Sequence, residues 1–342
     1  MRIIIDTSNF STYLRFSDKI IGSSEYSLGN IYFLYNNGLV LRATDGCLSS
    51  WMKVGSCEPF EGEIAVPLRL LKGFLAGEVG ENLNLILSGD QLVVSYGNET
   101  LKMKLFGGRE KQFPVEHELV ARSNSMSFVK ALDFATSPLE EGDFTSFGSF
   151  ENRLFIFAPT HSIVCLSCVS GELVKPFVFS FPYTSARHIV KAFEVYKKKV
   201  PLNFGLDEAL IIESVDFIMQ LCGEKGSVDP CIGRFLGQQR ESFPLPNGFR
   251  KFISKAAWFM PRESTIKIEC TKGSLRFFGT YGTVTYRAML PFEFPLSFGV
   301  EFSPHKMRSA LSRMSTKLLL SVGDDFVKIE DGNGKIVVVK RI

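Results

Sequence analysis

Seven cysteines and four histidines are the residues of this 342-residue chain best suited to metal or nucleophilic chemistry. Cys47, Cys57, Cys165, Cys168, Cys222, Cys231 and Cys270 are scattered, and only Cys165 and Cys168 form a C-x-x-C. A zinc site would want a second such pair or nearby histidines. The pair also lies in Ile163-Val164-Cys165-Leu166-Ser167-Cys168-Val169, which reads as a strand. Positions i and i+3 of a strand face opposite sides, so the spacing predicts two core thiols and no ligand pair. His117, His161, His188 and His305 are dispersed, which leaves no material for a metal cluster or a histidine-based triad. The phosphate-cradling G-x-x-x-x-G-K-[ST], the dinucleotide G-x-G-x-x-G and the nucleophile elbow G-x-S-x-G are all missing. Glu140-Glu141 and Asp324-Asp325 sit in turn-like contexts and read as solvated loop charges. The expectation is a protein that is not an enzyme and uses no metal or cofactor.

Composition narrows the class further. Hydrophobic residues are 45%, charged residues 22% and the net charge +3, which fits a globular chain and excludes a disordered one. No apolar run of about 18 residues exists, so no membrane span is expected. Met1-Arg2-Ile3-Ile4-Ile5-Asp6 meets charge too early for a secretory leader. The odd, scattered cysteines then suggest free thiols in a cytoplasmic protein. Thirty-two Phe, with Val, Ile and Tyr, lean toward sheet.

One order of elements recurs three times. Asn36-Asn37-Gly38, Glu151-Asn152-Arg153 and Thr271-Lys272-Gly273 each lead into a β-branched or aromatic run. Pro67, Pro182 and Pro304 then mark helix starts, where a missing N–H costs nothing, and Ser303 is a candidate N-cap. Hairpin turns follow at Ser88-Gly89-Asp90, Gly205-Leu206-Asp207 and Val322-Gly323-Asp324, and the interval between successive Asp residues is 117 both times. Each copy opens with an amphipathic helix: residues 9–22, 124–138 and 248–260. Proline at Phe113-Pro114 and Phe243-Pro244 marks the joins. The reading is an α+β chain of three domains, 1–115, 116–245 and 246–342, each with two helices and about eight short strands. The period is too long for a solenoid and indicates an array of whole domains.

Positive charge is concentrated on the helices. Taken as 9–22, 67–77, 124–138, 184–199, 248–260 and 303–317, they hold seventeen Lys and Arg against three Asp and Glu. Helix propensity explains Lys and Arg but not the depletion of Glu, an equally good helix former. A field of one sign points at a polyanion, and phosphate contacts carry no sequence information. No helix-turn-helix, zinc finger or RNP-type motif accompanies the charge, so sequence-independent duplex binding is expected. The candidate DNA contacts are Arg15, Lys19, Arg69, Lys72, Lys130, Arg187, Lys191, Lys197, Lys198, Arg250, Lys251, Lys306, Arg313 and Lys317.

With these features the chain resembles the bacterial sliding clamp, the β subunit of DNA polymerase III, as a divergent member. The resemblance spans the chain. It rests on Leu41-Arg42-Ala43-Thr44-Asp45, Val66-Pro67-Leu68-Arg69, the Phe113-Pro114 join, Phe150-Glu151-Asn152-Arg153-Leu154, the Phe243-Pro244 join and the Arg-plus-aliphatic end Arg341-Ile342. It implies three tandem copies of the DNA-clamp domain, each two helices packed on antiparallel sheets. It also implies a head-to-tail homodimer forming a six-domain ring around duplex DNA, and a role in DNA replication as a processivity factor. Polymerase and clamp loader would bind through peptide motifs. Carried over by position, their cleft uses Thr160, His161, Pro244, Pro246, Arg250, Val338, Val339, Arg341 and Ile342. The chain departs from the family there: the usual Ala-Thr-Asp-Gly-His-Arg is Ala158-Pro159-Thr160-His161-Ser162-Ile163, and Met-Pro-Met is Val338-Val339-Lys340. The alternative is a non-enclosing DNA-binding or polymerase accessory protein built from the same domains.

Overall fold

The structure is a computed structural model. It describes residues 2–22, 29–76, 82–107, 113–114, 116–226, 233, 235–236, 241–271 and 273–342. Six α-helices are defined among them: α1 Thr7–Ile21, α2 Leu68–Phe74, α3 Ser125–Ala135, α4 Tyr183–Tyr196, α5 Phe249–Phe259 and α6 Pro304–Leu311.

Local chemistry sets the helix ends. The Asp6 carboxylate accepts from the Asn9 N–H at the start of α1, and Gly22 closes it at φ 66°. Ser303 caps α6 by accepting from the Lys306 N–H, with Pro304 in the first turn. The hairpin turns need left-handed backbone, which Asn37 at φ 53° and Asn152 at φ 61° adopt. Strand Val164–Val169 turns Cys165 and Cys168 to opposite faces, into separate apolar clusters, as its alternation predicts.

Contacts group the chain into two units, Met1–Val129 with Arg187–Glu224, and Lys130–Ala186 with Lys225–Ile342. The second repeat is therefore shared between them, and the sheets give the reason. Each repeat contributes two four-stranded antiparallel arrays, and with short edge strands these make four sheets of four, ten, nine and four strands. An opening sheet has the order Glu63–Pro67, Asn30–Tyr35, Leu39–Thr44, Leu48–Gly55 in the first repeat. Its counterparts run Val178–Pro182, Phe144–Phe150, Arg153–Pro159, Val164–Val169, and Phe298–Phe302, Ile266–Thr271, Ser274–Tyr281, Val284–Pro291. A closing sheet has the order Arg2–Asp6, Asn82–Ser88, Gln91–Tyr96, Glu99–Lys104. Its counterparts run Glu118–Asn124, Pro201–Leu206, Leu210–Glu213, Phe217–Leu221, and Phe243–Pro244, Leu318–Val322, Phe326–Asp331, Lys335–Lys340.

In the first unit the opening sheet of repeat one continues into the closing sheet of repeat two, in register from Phe217↔Met52 to Leu221↔Leu48. In the second unit the opening sheet of repeat two continues into the closing sheet of repeat three, from Val164↔Val338 to Ser167↔Lys335. The helices obey the same rule. Phe16 of α1 packs on Phe193 and Tyr196 of α4 at ring separations of 6.0 and 5.7 Å. In the second unit, Asp133 of α3 takes the Arg313 guanidinium just beyond α6 at 2.8 Å. Phe134 of α3 and Met307 of α6 share one buried core. The opening helix of one repeat thus lies beside the closing helix of the next, twice.

Candidate DNA and partner interfaces

The fourteen cations proposed from sequence divide into two groups. Arg15, Arg69, Lys130, Lys191, Lys197, Lys251 and Lys317 are exposed. Others are engaged within the protein. Lys306 is buried and 3.5 Å from Glu140, and Arg313 pairs with Asp133. The Arg250 guanidinium donates to the Leu311 carbonyl at 2.7 Å and to those of Met314 and Ser315. Burial pulls its pKa down, with Asp331 opposing. Lys72 reaches Asp18 at 2.8 Å, Lys19 lies 4.0 Å from the same carboxylate, and Arg187 is half-buried. Lys198 lies 3.7 Å from Asp216 and over the Tyr196 ring.

Arg250 and Lys306 are therefore corrected from candidate phosphate contacts to internal ones, because each meets acceptors brought from distant sequence. Helix lengths are also corrected. α4 ends at Tyr196 and α6 at Leu311, so Lys197, Lys198, Arg313 and Lys317 follow helices instead of riding on them. The observed helices still carry twelve Lys and Arg against three Asp and Glu. Lys199, Lys255 and Arg308 are exposed cations that the candidate set omitted, although each lies in a helical range the charge count covered.

The residues proposed for a partner cleft are only partly brought together. Thr160 organises the turn between strands Arg153–Pro159 and Val164–Val169: its hydroxyl donates to the Ile163 carbonyl and accepts from the Ile163 N–H. His161 on that turn is exposed. Register places the turn beside Val338. Val338 packs with Phe155, Leu166, Phe326 and Ile336 in a cluster shared by repeats two and three, and half-buried Phe235 and Leu236 lie on it. The Phe235 and Phe326 rings meet edge to face at 5.0 Å. Val339 points the other way, into the core of the second unit, because strand neighbours alternate. Arg341 donates to the Gly323, Asp324 and Ser297 carbonyls, the Ile342 N–H reaches Gly299, and the Ile342 side chain is exposed.

Pro244 lies three strands from the tail strand, about 14 Å away at the usual strand spacing. Pro246 begins the turn into α5, and Arg250 serves the end of α6. These three residues are therefore not joined to the tail group. Sequence reading missed Phe155, Leu166, Phe326, Phe235 and Leu236, since nothing local distinguishes a half-covered apolar face from a covered one.

Two sheet edges and two helix faces are left open by the joining rule. Strand Glu99–Lys104 ends the closing sheet of repeat one, and Val284–Pro291 ends the opening sheet of repeat three. Among the described residues, α2 has no opening helix of an earlier repeat beside it, and α5 has no closing helix of a later repeat. Both expose apolar side chains: Leu70 on α2 is 50% exposed, and Trp258 and Phe259 on α5 are 81% and 56% exposed. A depression of about 360 Å³ between α5 and the open strand is lined by Phe252, Lys255, Phe259, Val284, Tyr286 and Arg287.

Among the described residues no group of three His, Cys, Asp or Glu side chains could hold a metal ion. His188 pairs with Asp45 at 2.7 Å, and His305 bonds the Met260 carbonyl at 2.7 Å. Burial pushes the Cys165 thiol well up and raises Cys270 to about 11, which suits inert core thiols. No helix among the described residues is long and apolar enough to cross a membrane.

No family model matches this sequence, and no curated protein matches it. Solved structures do. The DNA polymerase III subunit beta from Pseudomonas aeruginosa is similar at a TM-score of 0.81 and 12% identity, covering 100% of both chains. The DNA polymerase III beta subunit from Thermotoga maritima is similar at 0.79 and 13%, covering 100% of this chain and 99% of that one. The Helicobacter pylori beta clamp bound to a DNA ligase peptide is similar at 0.75 and 15%, covering 100% of both. The chain has the fold of the bacterial DNA polymerase III β sliding clamp: three tandem α+β repeats, at an identity where the likeness speaks for architecture.

Proposed function

We propose that this chain is the protomer of a DNA sliding clamp. Two copies join head to tail into a ring of six domains, 1–115, 116–245 and 246–342 from each, around duplex DNA. The ring tethers a replicative polymerase and does no covalent chemistry itself. The observation that carries the reading is the joining rule. Opening sheet meets closing sheet, and opening helix meets closing helix, at both internal junctions. One closing end and one opening end remain. A second copy satisfies both by placing Val284–Pro291 of one protomer beside Glu99–Lys104 of the other, and α5 beside α2. Such a heterologous contact must close or grow into a filament, and a repeat of this size closing at six domains gives a ring. Aromatics exposed on the protomer and buried on association anchor an interface of this kind.

The exposed helix cations support duplex binding without sequence preference. Phosphates are held by charge alone, an interaction weak enough per contact to permit sliding. The apolar cluster around Val338, with the Thr160–Ile163 turn and the tail, supports a site for partner peptides of a polymerase or loader. The Helicobacter pylori clamp bound to a ligase peptide is the precedent for that mode.

Deleting Arg341 and Ile342 tests the partner site. The guanidinium ties the tail to three carbonyls at the rim of this face. The deletion is expected to weaken binding of a partner polymerase, read by surface plasmon resonance, by about tenfold, the worth of roughly one charged hydrogen-bond set. The sedimenting species and duplex binding should be unchanged. Unaltered polymerase affinity would place the partner site elsewhere.

A further inference from the structure

Cys47 and Cys222 stand opposite each other at the end of the seam between repeats one and two. The ladder closes with Leu221↔Leu48, and one step further the Cys222 N–H donates to the Cys47 carbonyl at 2.8 Å. Directly opposed residues share a face. Leu48 and Leu221 are fully buried, so alternation turns both thiols to the open side, where both cysteines are exposed. Facing residues of an antiparallel pair have Cα atoms about 4.5–5.5 Å apart, inside the span a disulfide bridges. The Cys47 backbone is held in place as well: its N–H donates to Asp45 Oδ1 at 2.9 Å, while Asp45 Oδ2 is 2.7 Å from His188 Nδ1. Cys165, Cys168 and Cys270 have no such partner, being opposite Val337, Phe155 and Leu275. Cys231 lies outside the described residues.

We propose that Cys47 and Cys222 form a thiol–disulfide modification site, closed by exchange with a low-molecular-weight disulfide such as oxidised glutathione. The first thiolate attacks one glutathione sulfur, forming a mixed disulfide and releasing one glutathione thiolate. The second cysteine, as thiolate, attacks the protein sulfur of that mixed disulfide and releases the other glutathione. Two protein thiols are oxidised, and one glutathione disulfide is reduced to two glutathione thiols, which take up the two protons the protein thiols lose. Burial, with Cys47 and Asp45 nearby, pushes the Cys222 thiol up, so closure quickens as pH rises above neutral. The cross-link would lock this seam without touching the exposed helix cations, and it stands on strand register independently of the clamp reading.

The test is incubation of the full chain with oxidised glutathione, acid quench, alkylation and non-reducing peptide mapping. The expected product is the Cys47–Cys222 peptide, exceeding either glutathione adduct by about tenfold or more, since groups this close have effective concentrations of millimolar or above. Cys222→Ser should trap a stable adduct at Cys47, and Cys47→Ser one at Cys222. Both are exposed positions, and circular dichroism checks their fold. Wild-type protein that accumulates separate adducts at both cysteines, or reacts at neither, overturns the proposal.

Discussion

Replacing Trp258 and Phe259 together with Glu is expected to convert the proposed dimer into monomers while leaving the protomer folded. Trp258 is 81% exposed at the end of α5, and Phe259 is 56% exposed with its inner face stacked on Tyr286 at 6.3 Å. At the first junction satisfied within the chain, the corresponding packing is aromatic and buried, with Phe16 against Phe193 and Tyr196. Burying the exposed pair against α2 of a second copy would contribute about 3–5 kcal/mol at ~25 cal/mol per Å². Two buried carboxylates would forfeit that and add a desolvation penalty. The dimer dissociation constant should rise by at least a hundredfold, a change of about 2.7 kcal/mol. Sedimentation velocity across a concentration series reads the change, and an unshifted melting curve shows the fold intact. Leu70→Glu on α2 should act in the same direction, since it removes the other half of the contact. A variant that stays dimeric at micromolar concentration would mean that the open ends do not meet.

Charge reversal at Arg15, Arg69, Lys130 and Lys191 should abolish stable association with duplex DNA. These four are exposed and sit on α1, α2, α3 and α4. They avoid Arg250, Lys306 and Arg313, whose replacement would disturb internal contacts and confuse the result. Each phosphate contact removed lowers the slope of log affinity against log salt by about 0.9. A quadruple Glu variant adds repulsion to that loss, so a drop of at least about a hundredfold at 0.1 M salt is expected in the anisotropy of a labelled duplex. Lys53→Glu is the control. Its neighbour Met52 is buried, so strand alternation puts Lys53 on the other face of the sheet, and affinity should stay within about twofold. An unchanged salt slope in the quadruple variant would mean that these helices do not face phosphate.

The repeat was legible because its signals are local. Ser303-Pro304 starts a helix, Gly89-Asp90 turns a hairpin and Asn152 adopts a left-handed backbone wherever they stand, so their recurrence could be read directly. The sharing of repeat two between two units was not legible. It follows from seams such as Val164↔Val338, between strands more than 150 residues apart. Two members of the cation set were misplaced for the same reason. Lys306 and Arg250 look like any helix-borne cation until Glu140 and the α6 carbonyls arrive. Those carbonyls also explain the overlong reading of 303–317. Proline-free sequence beyond Leu311 gives no stop signal, and the turn is ended by Arg250 taking up its orphan acceptors. In the tail, alternation alone predicts that Val338 and Val339 face opposite ways, but only the structure tells which side is lidded by Phe235 and Leu236.

Encirclement would separate the proposed ring from a protein that merely adheres to DNA, and end-blocking measures it without a loader. The protein is threaded onto a linear duplex biotinylated at both ends, the ends are capped with streptavidin, and the sample is challenged with salt high enough to screen phosphate contacts. A closed ring stays on the capped duplex and leaves when a restriction enzyme frees one end. Release at the same rate from capped and cut DNA would contradict the ring.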